Sequence, residues 1–130
     1  MTFSTVPADV HAYVAEFYRL SDVPDDQYTD LFHDEIEFAV GDRVADSRES
    51  LKEIRKRGSA AVANRVHHLH DIYLNEAEPN VIVAVGSIDL DRLVDGMQIR
   101  GLPWMAKIEM LDGRIKKYHA YVVSSLVCAA

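Results

Sequence analysis

Four long runs of strand-forming residues, 65–76, 81–93, 97–111 and 114–123, fill the second half of the chain, divided only by Glu78-Pro79-Asn80, Asp95-Gly96 and Asp112-Gly113. Asp-Gly pairs supply the positive φ angles that tight hairpins need, and Pro followed by Asn starts a turn. Long strands with links this short fold back on their immediate neighbours, so the spacing predicts an antiparallel meander. Residues 81–85 are apolar at every position, which predicts that both faces of that strand are covered. Helices can cover one face. Covering the other calls for a second copy of the chain, and we expect a homodimer packed through the outer face of the sheet.

The first half reads mainly as helices. Val10, Tyr13, Val14, Phe17 and Tyr18 recur at helical spacing, with Glu16 and Arg19 on the opposite side. Residues 21–26 form a turn segment around Pro24, after which Tyr28, Leu31 and Phe32 predict a short second helix. Ile36, Phe38 and Val40 alternate with Glu35, Glu37 and Ala39, the period of a half-buried strand, and Gly41-Asp42 closes it. Ser47, Glu49 and Ser50 ahead of Leu51 and Ile54 predict a third helix over 48–57, capped by Gly58, with Arg48, Arg55 and Arg57 on its solvated side. Helices first and long strands last give an α+β fold, with N-terminal helices packed on a curved antiparallel sheet that forms a cone-shaped barrel with one pocket. The 130 residues make one domain, its core over 8–124, large enough to fold without disulfides or a structural metal.

A formal charge of -7 repels a phosphate backbone, and the densest basic run, 52–57, is interrupted by Glu53, so nucleic acid is not an expected partner. The single cysteine, Cys128, excludes an internal disulfide and a cysteine-based zinc site, and fits a reducing compartment. No apolar segment approaches membrane-spanning length and no leader is read at the N-terminus; we expect no membrane partner and a cytoplasmic location.

The segment Phe17-Tyr18-Arg19-Leu20-Ser21-Asp22, followed by Leu31-Phe32, Arg65-Val66-His67-His68, Trp104 and Asp112-Gly113-Arg114-Ile115, resembles in order and spacing SnoaL-like proteins of the nuclear-transport-factor-2-like (NTF2-like) superfamily. The similarity spans residues 10–123. That superfamily includes polyketide cyclases, ketosteroid isomerases, scytalone dehydratase, epoxide hydrolases and binding or transport domains without catalysis. The resemblance implies cofactor-free chemistry on a small hydrophobic molecule by acids, histidines and tyrosines in a cone-shaped pocket, but not one particular reaction. The places of the isomerase base, tyrosine and protonated aspartate fall on Val40, Phe17 and Ala106. The acid of the cyclase-type and epoxide-hydrolase-type sites falls on Ala120, with Tyr118 two residues before it. His68 matches a pocket histidine of the scytalone dehydratase-like members, and His70 then points the same way.

In a regular strand, either His68, His70 and Ile72 face the pocket, with His67, Leu69, Asp71 and Tyr73 outside, or the reverse. With the first arrangement, two imidazoles in a dry cavity supply a general base and a general acid near neutral pH. His68 and His70, with Tyr118 as a donor to a substrate oxygen, are then the candidate catalytic residues. Tyr13, Phe17 and Trp104 are the candidate substrate contacts, although an aromatic stripe on a helix serves equally as core. Only His68 and His70 could share an ion, and no metal is expected. The reading is a lyase, isomerase or cyclase acting on a small hydrophobic polyketide or terpenoid-like intermediate. The alternative is a non-catalytic binding domain, or a dimeric interaction module, of the same fold.

Overall fold

The computed structural model describes residues 6–24 and 26–122; Cys128 and the end of the last sequence run lie outside the described residues. Helices α1 (Val10–Ser21) and α2 (Gln27–Asp30) precede a hairpin of β1 (Phe32–Val40) and β2 (Arg43–Ser47). Helix α3 (Arg48–Ala61) then leads into β3 (Val62–Asn75), β4 (Glu78–Arg92), β5 (Gln98–Leu111) and β6 (Arg114–Tyr121). The six strands form one sheet in the order β2-β1-β6-β5-β4-β3. The meander from β3 to β6 is antiparallel throughout, whereas β1 runs parallel to β6. The sheet curls without closing, so β2 and β3 are its two edges, and α3 packs against β1, β2 and β3 to cover the gap between them.

Local chemistry explains the helices. The Asp9 carboxylate accepts from Ala12 N–H at 3.0 Å and starts α1, which turns Val14, Phe17, Tyr18 and Leu20 into the core. Ser47 and Ser50 cap α3 reciprocally, each hydroxyl accepting the other's backbone N–H at 3.1 Å. Leu51 and Ile54 are its buried residues. Three readings change. Phe32 opens β1 instead of closing a helix, residues 43–47 form a strand, and α3 passes through Gly58 to Ala61.

Extra residues in several strands curve the sheet and decide what faces its concave side. His70 is the odd residue between the pairs Leu69↔Gly86 and Asp71↔Val85. Lys116 is bypassed between Met110↔Ile115 and Glu109↔Lys117. On β5 three steps from Ile99 to Leu102 oppose two on β4, with Gly101 at φ 67°; only glycine takes that angle at little cost. Each bulge reverses the inward-outward alternation. In this way Leu102 and Trp104 continue the inner face that Ile99 begins, and Tyr118 continues that of Ile115.

Gly86, on the inner face of β4, is covered by the Trp104 indole, whose Nε1 donates to the Ser87 carbonyl at 2.8 Å. A Cβ at Gly86 would stand 2.0 Å from the His68 carbonyl oxygen and 2.7 Å from the Trp104 ring. Two strands and an indole therefore meet where a side chain is missing. On the β4–β5 turn, Arg92 grips Asp95 and holds its carboxyl down to about 2, helped by the Met97 backbone N–H.

Candidate active site

The concave face, α3 and the end of α1 enclose a cavity of about 120 Å³, close to the volume of about 150 Å³ that accommodates a benzene ring. Phe38, Ile54, Val62, Ile88 and Trp104 form its apolar wall. The polar groups on it are few. They are His67 from β3, Tyr118 from β6, Tyr28 and Ser21 near the helix ends, and Arg43, Arg55 and Arg65.

His67 is the histidine that enters. Its side chain is 14% exposed, whereas that of His68 is 48% exposed. His67 lies on the inner face with Leu69, and the bulge at His70 then reverses the phase so that Ile72 also turns toward the core. The inner face is therefore neither of the two regular alternations but a splice of both. His68 and His70 lie on the outer face, which corrects the expectation that they line the pocket. His68 Nε2 meets Asp89 at 2.9 Å, and His70 Nε2 lies 3.3 Å from the Ser87 hydroxyl. A hydrogen bond from Gly101 N–H, followed by the one from His68, holds the Asp89 carboxyl below its usual value.

Asp22 orients His67. It is the C-cap of α1, where its backbone N–H donates to the Tyr18 and Arg19 carbonyls at 3.2 Å. Its carboxylate reaches β3, where Oδ2 accepts the His67 backbone N–H at 2.8 Å and Oδ1 sits 2.6 Å from His67 Nδ1. A carboxylate can only accept here, so Nδ1 carries a proton, and Nε2 is the ring nitrogen that remains for a ligand. The loop that carries Asp22 is tied down twice. Arg55 donates to the Val23 carbonyl at 2.8 Å and to those of Leu20 and Ser21 at 3.4 Å, and Arg65 donates to Ser21 O. Arg55 thus leaves the solvated side of α3 on which the sequence placed it, and its guanidinium stacks 4.1 Å above the Tyr28 ring.

Two phenols complete the site. The hydroxyls of Tyr18 and Tyr118 lie 3.0 Å apart and are buried. Burial pushes both phenols well above the ordinary tyrosine value, although the hydrogen bond from Tyr18 acts in the opposite sense on Tyr118. Both remain protonated at neutral pH. The Tyr18 ring also packs at a tilt against Trp104, with centroids 4.5 Å apart, and against His67 at 5.0 Å, which limits the freedom of the imidazole.

Of the six residues selected from the sequence, Tyr118 and Trp104 line the cavity. Phe17 is fully buried beside Tyr18, Tyr28 and Tyr118 and belongs to the core, away from the cavity wall. Tyr13 is half-buried and also off the wall; its hydroxyl has no partner, and burial raises it to about 12. Asp22, Tyr18, His67 and Arg65 were missed as a group. Hydrophobic alternation around Leu69 was the one signal that pointed to His67. Among the described residues, no three His, Cys, Asp or Glu side chains converge as a metal site, and no helix is long and apolar enough to cross a membrane.

Helices folded over an open, curved sheet around a single-ring cavity define an NTF2-like cone of the kind found in SnoaL-like and ketosteroid isomerase-like proteins. Solved structures bear this out: a proposed isomerase from Bacillus subtilis superposes with a TM-score of 0.74 at 17% identity, over 90% of this chain and 87% of the other. The epoxide hydrolase/cyclase-like enzyme SalBIII, which acts in pyran ring formation in the polyether salinomycin, gives 0.72 at 12% identity over 86% and 88%. A proposed SnoaL-like polyketide cyclase from Shewanella putrefaciens CN-32 gives 0.72 at 8% identity over 88% and 80%. At these identities the likeness is one of fold. No protein-family model matches the chain, and no curated protein matches it in sequence.

Proposed function

We propose that the chain is an acid–base enzyme of the lyase, isomerase or cyclase type, acting on a small, largely apolar molecule that places an acidic C–H against His67. The observation that carries this reading is the Asp22–His67 pair, with Nδ1 held by a carboxylate and Nε2 left for the cavity. Such a histidine is a general base whose tautomer and direction are set before substrate arrives. His67 Nε2 takes the proton from a carbon next to a carbonyl, and the electron pair moves into the carbonyl to give an enol or enolate. Tyr118 stands on the cavity wall and can donate to that oxygen while Tyr18 donates to Tyr118, so the developing charge meets a prepared hydrogen bond. In a dehydration the enolate collapses and the β-hydroxyl takes the proton from His67 Nε2 and leaves as water; in an isomerisation the enolate takes that proton back at another carbon. Neighbours of the same fold are named as epoxide hydrolase/cyclase-like and as a SnoaL-like polyketide cyclase, which supports a cyclase or isomerase type of reaction without selecting one.

The test is turnover of β-hydroxy carbonyl and enolisable ketone compounds by the purified protein and by His67→Ala. We expect a loss of about 10³-fold in kcat for the variant, with an unchanged circular dichroism spectrum. Equal rates for the two proteins would end the assignment.

We further propose that a second copy covers the outer sheet face. Val85, Met105 and Tyr121 stand side by side across β4, β5 and β6, and Met105 and Tyr121 are 45% and 59% exposed. Residues of both charge signs, Lys107, Glu109 and Lys117, adjoin the row on those strands, so the face suits a two-fold partner. Sedimentation should show a dimer that Met105→Asp converts to a monomer; a wild-type monomer at micromolar concentration would rule it out.

A further inference from the structure

The cavity of a chain carrying a net charge of -7 is lined by three arginines, and among the described residues no Asp or Glu side chain shares its wall. Asp22, off the wall, is shared between His67, which both of its oxygens meet, and Arg65, with which it forms an ion pair at 3.5 Å. Within that ion pair the buried Arg65 Nε makes no hydrogen bond, which leaves the pairing loose. The cations also converge. A Cβ built on Gly58 would lie 3.5 Å from Arg43 Nη1 and 4.0 Å from Arg65 Nη1, so two guanidinium tips flank one small space that the absence of a side chain keeps open. Gly58 lies within α3, where glycine weakens a helix; its place in the cavity wall gives that weakness a purpose.

We propose that this space between Arg43 and Arg65, beside Gly58, binds the carboxylate of the substrate, so that the cavity selects organic acids over neutral compounds of the same shape. The inference rests on the cavity being the substrate site and adds the substrate class. A guanidinium is a planar fork of donors that fits a carboxylate, and the attraction strengthens where water is scarce. Spacing adds a further constraint. Arg65 and His67 are two residues apart on one strand face, about 7 Å between Cα atoms, so the carboxylate lies several bonds from the carbon that His67 deprotonates. The apolar body of such an acid lies against Trp104, Ile88 and Phe38.

Trp104 is the only tryptophan and stands on the cavity wall, so its emission reports occupancy without any turnover. The experiment titrates the whole protein with 3-phenylpropanoate, cinnamate and hexanoate and with the corresponding primary amides. We expect each acid that binds to do so at least about tenfold more tightly than its amide, with the preference shrinking as salt is added. Arg65→Gln and Arg43→Gln should each bring the acid down to the affinity of its amide. Arg65 also holds the Ser21 carbonyl, so Gly58→Ala provides the second variant. Its methyl occupies the anion's place, makes only ordinary contacts and favours the helix, so the protein folds while the acid preference disappears. Equal affinities for acids and amides, absence of acid binding across the panel, or a preference that survives all three substitutions would overturn the proposal. His67→Ala separates the two readings, because it removes proton transfer and leaves the preference for acids intact.

Discussion

Asp22→Asn is expected to lower kcat by about 10⁴-fold while leaving the shape of the cavity nearly unchanged. The reason lies in how many acceptors an amide has. In the native protein one carboxylate oxygen takes the His67 backbone N–H at 2.8 Å and the other takes Nδ1–H at 2.6 Å. Asparagine offers a single oxygen. The backbone N–H can only donate and so claims that oxygen, which turns the new side-chain amide N–H toward His67 Nδ1. The imidazole then accepts at Nδ1 and carries its proton on Nε2, the atom that must be empty to act as a base. The fold survives because the donor to the α1 cap is the Asp22 backbone N–H, not its side chain. Two measurements check this. Nitrogen chemical shifts of His67 should report a change from the Nδ1–H to the Nε2–H tautomer, and steady-state kinetics should show the fall in kcat. An Asp22→Asn protein within tenfold of wild type, or one that keeps the Nδ1–H tautomer, would show that the pair is structural and that the base is elsewhere.

The same pair shows where reading the sequence stops. The meander was legible because Asp95-Gly96 and Asp112-Gly113 state their turns outright, and α1 was legible because Val14, Phe17 and Tyr18 repeat with the helical period. The short β2 was not, since Ala45 is its one buried residue and no alternation of large apolar side chains marks it. Nor was the parallel pairing of β1 with β6, which joins residues far apart in the chain. Histidine orientation failed for a physical reason. Leu69 and Ile72 both turn inward, which no regular strand permits, and the extra residue that reconciles them, His70, has no property that announces a bulge. Trusting Ile72 brings His68 inward; trusting Leu69 brings His67 inward, and the second is the local truth. Asp22 looked like any acid in a turn, because what distinguishes it is a partner 45 residues away.

The bulge that sets this phase depends on Gly86, and Gly86→Ala should be among the most destabilising single-methyl changes in the protein. The added carbon would meet the His68 carbonyl oxygen at 2.0 Å, far inside van der Waals contact, and the Trp104 ring at 2.7 Å. A flexible side chain could yield; a backbone carbonyl in a strand ladder cannot without breaking the β3–β4 pairing at Leu69↔Gly86. Overpacking at a rigid site costs about 3 kcal/mol, which in a domain of this size lowers Tm by about 10 °C. The two contacts can be separated by adding Trp104→Phe, which removes the crowded edge of the indole. If the carbonyl dominates, as the shorter distance implies, the double variant regains little of the lost stability, whereas a dominant indole contact would restore most of it. Calorimetry of the two single variants and the double variant decides between them. A Tm for Gly86→Ala within a degree or two of wild type would mean that β3 can shift at His68, and the rigid bulge would no longer explain why His67, and not His68, enters the cavity.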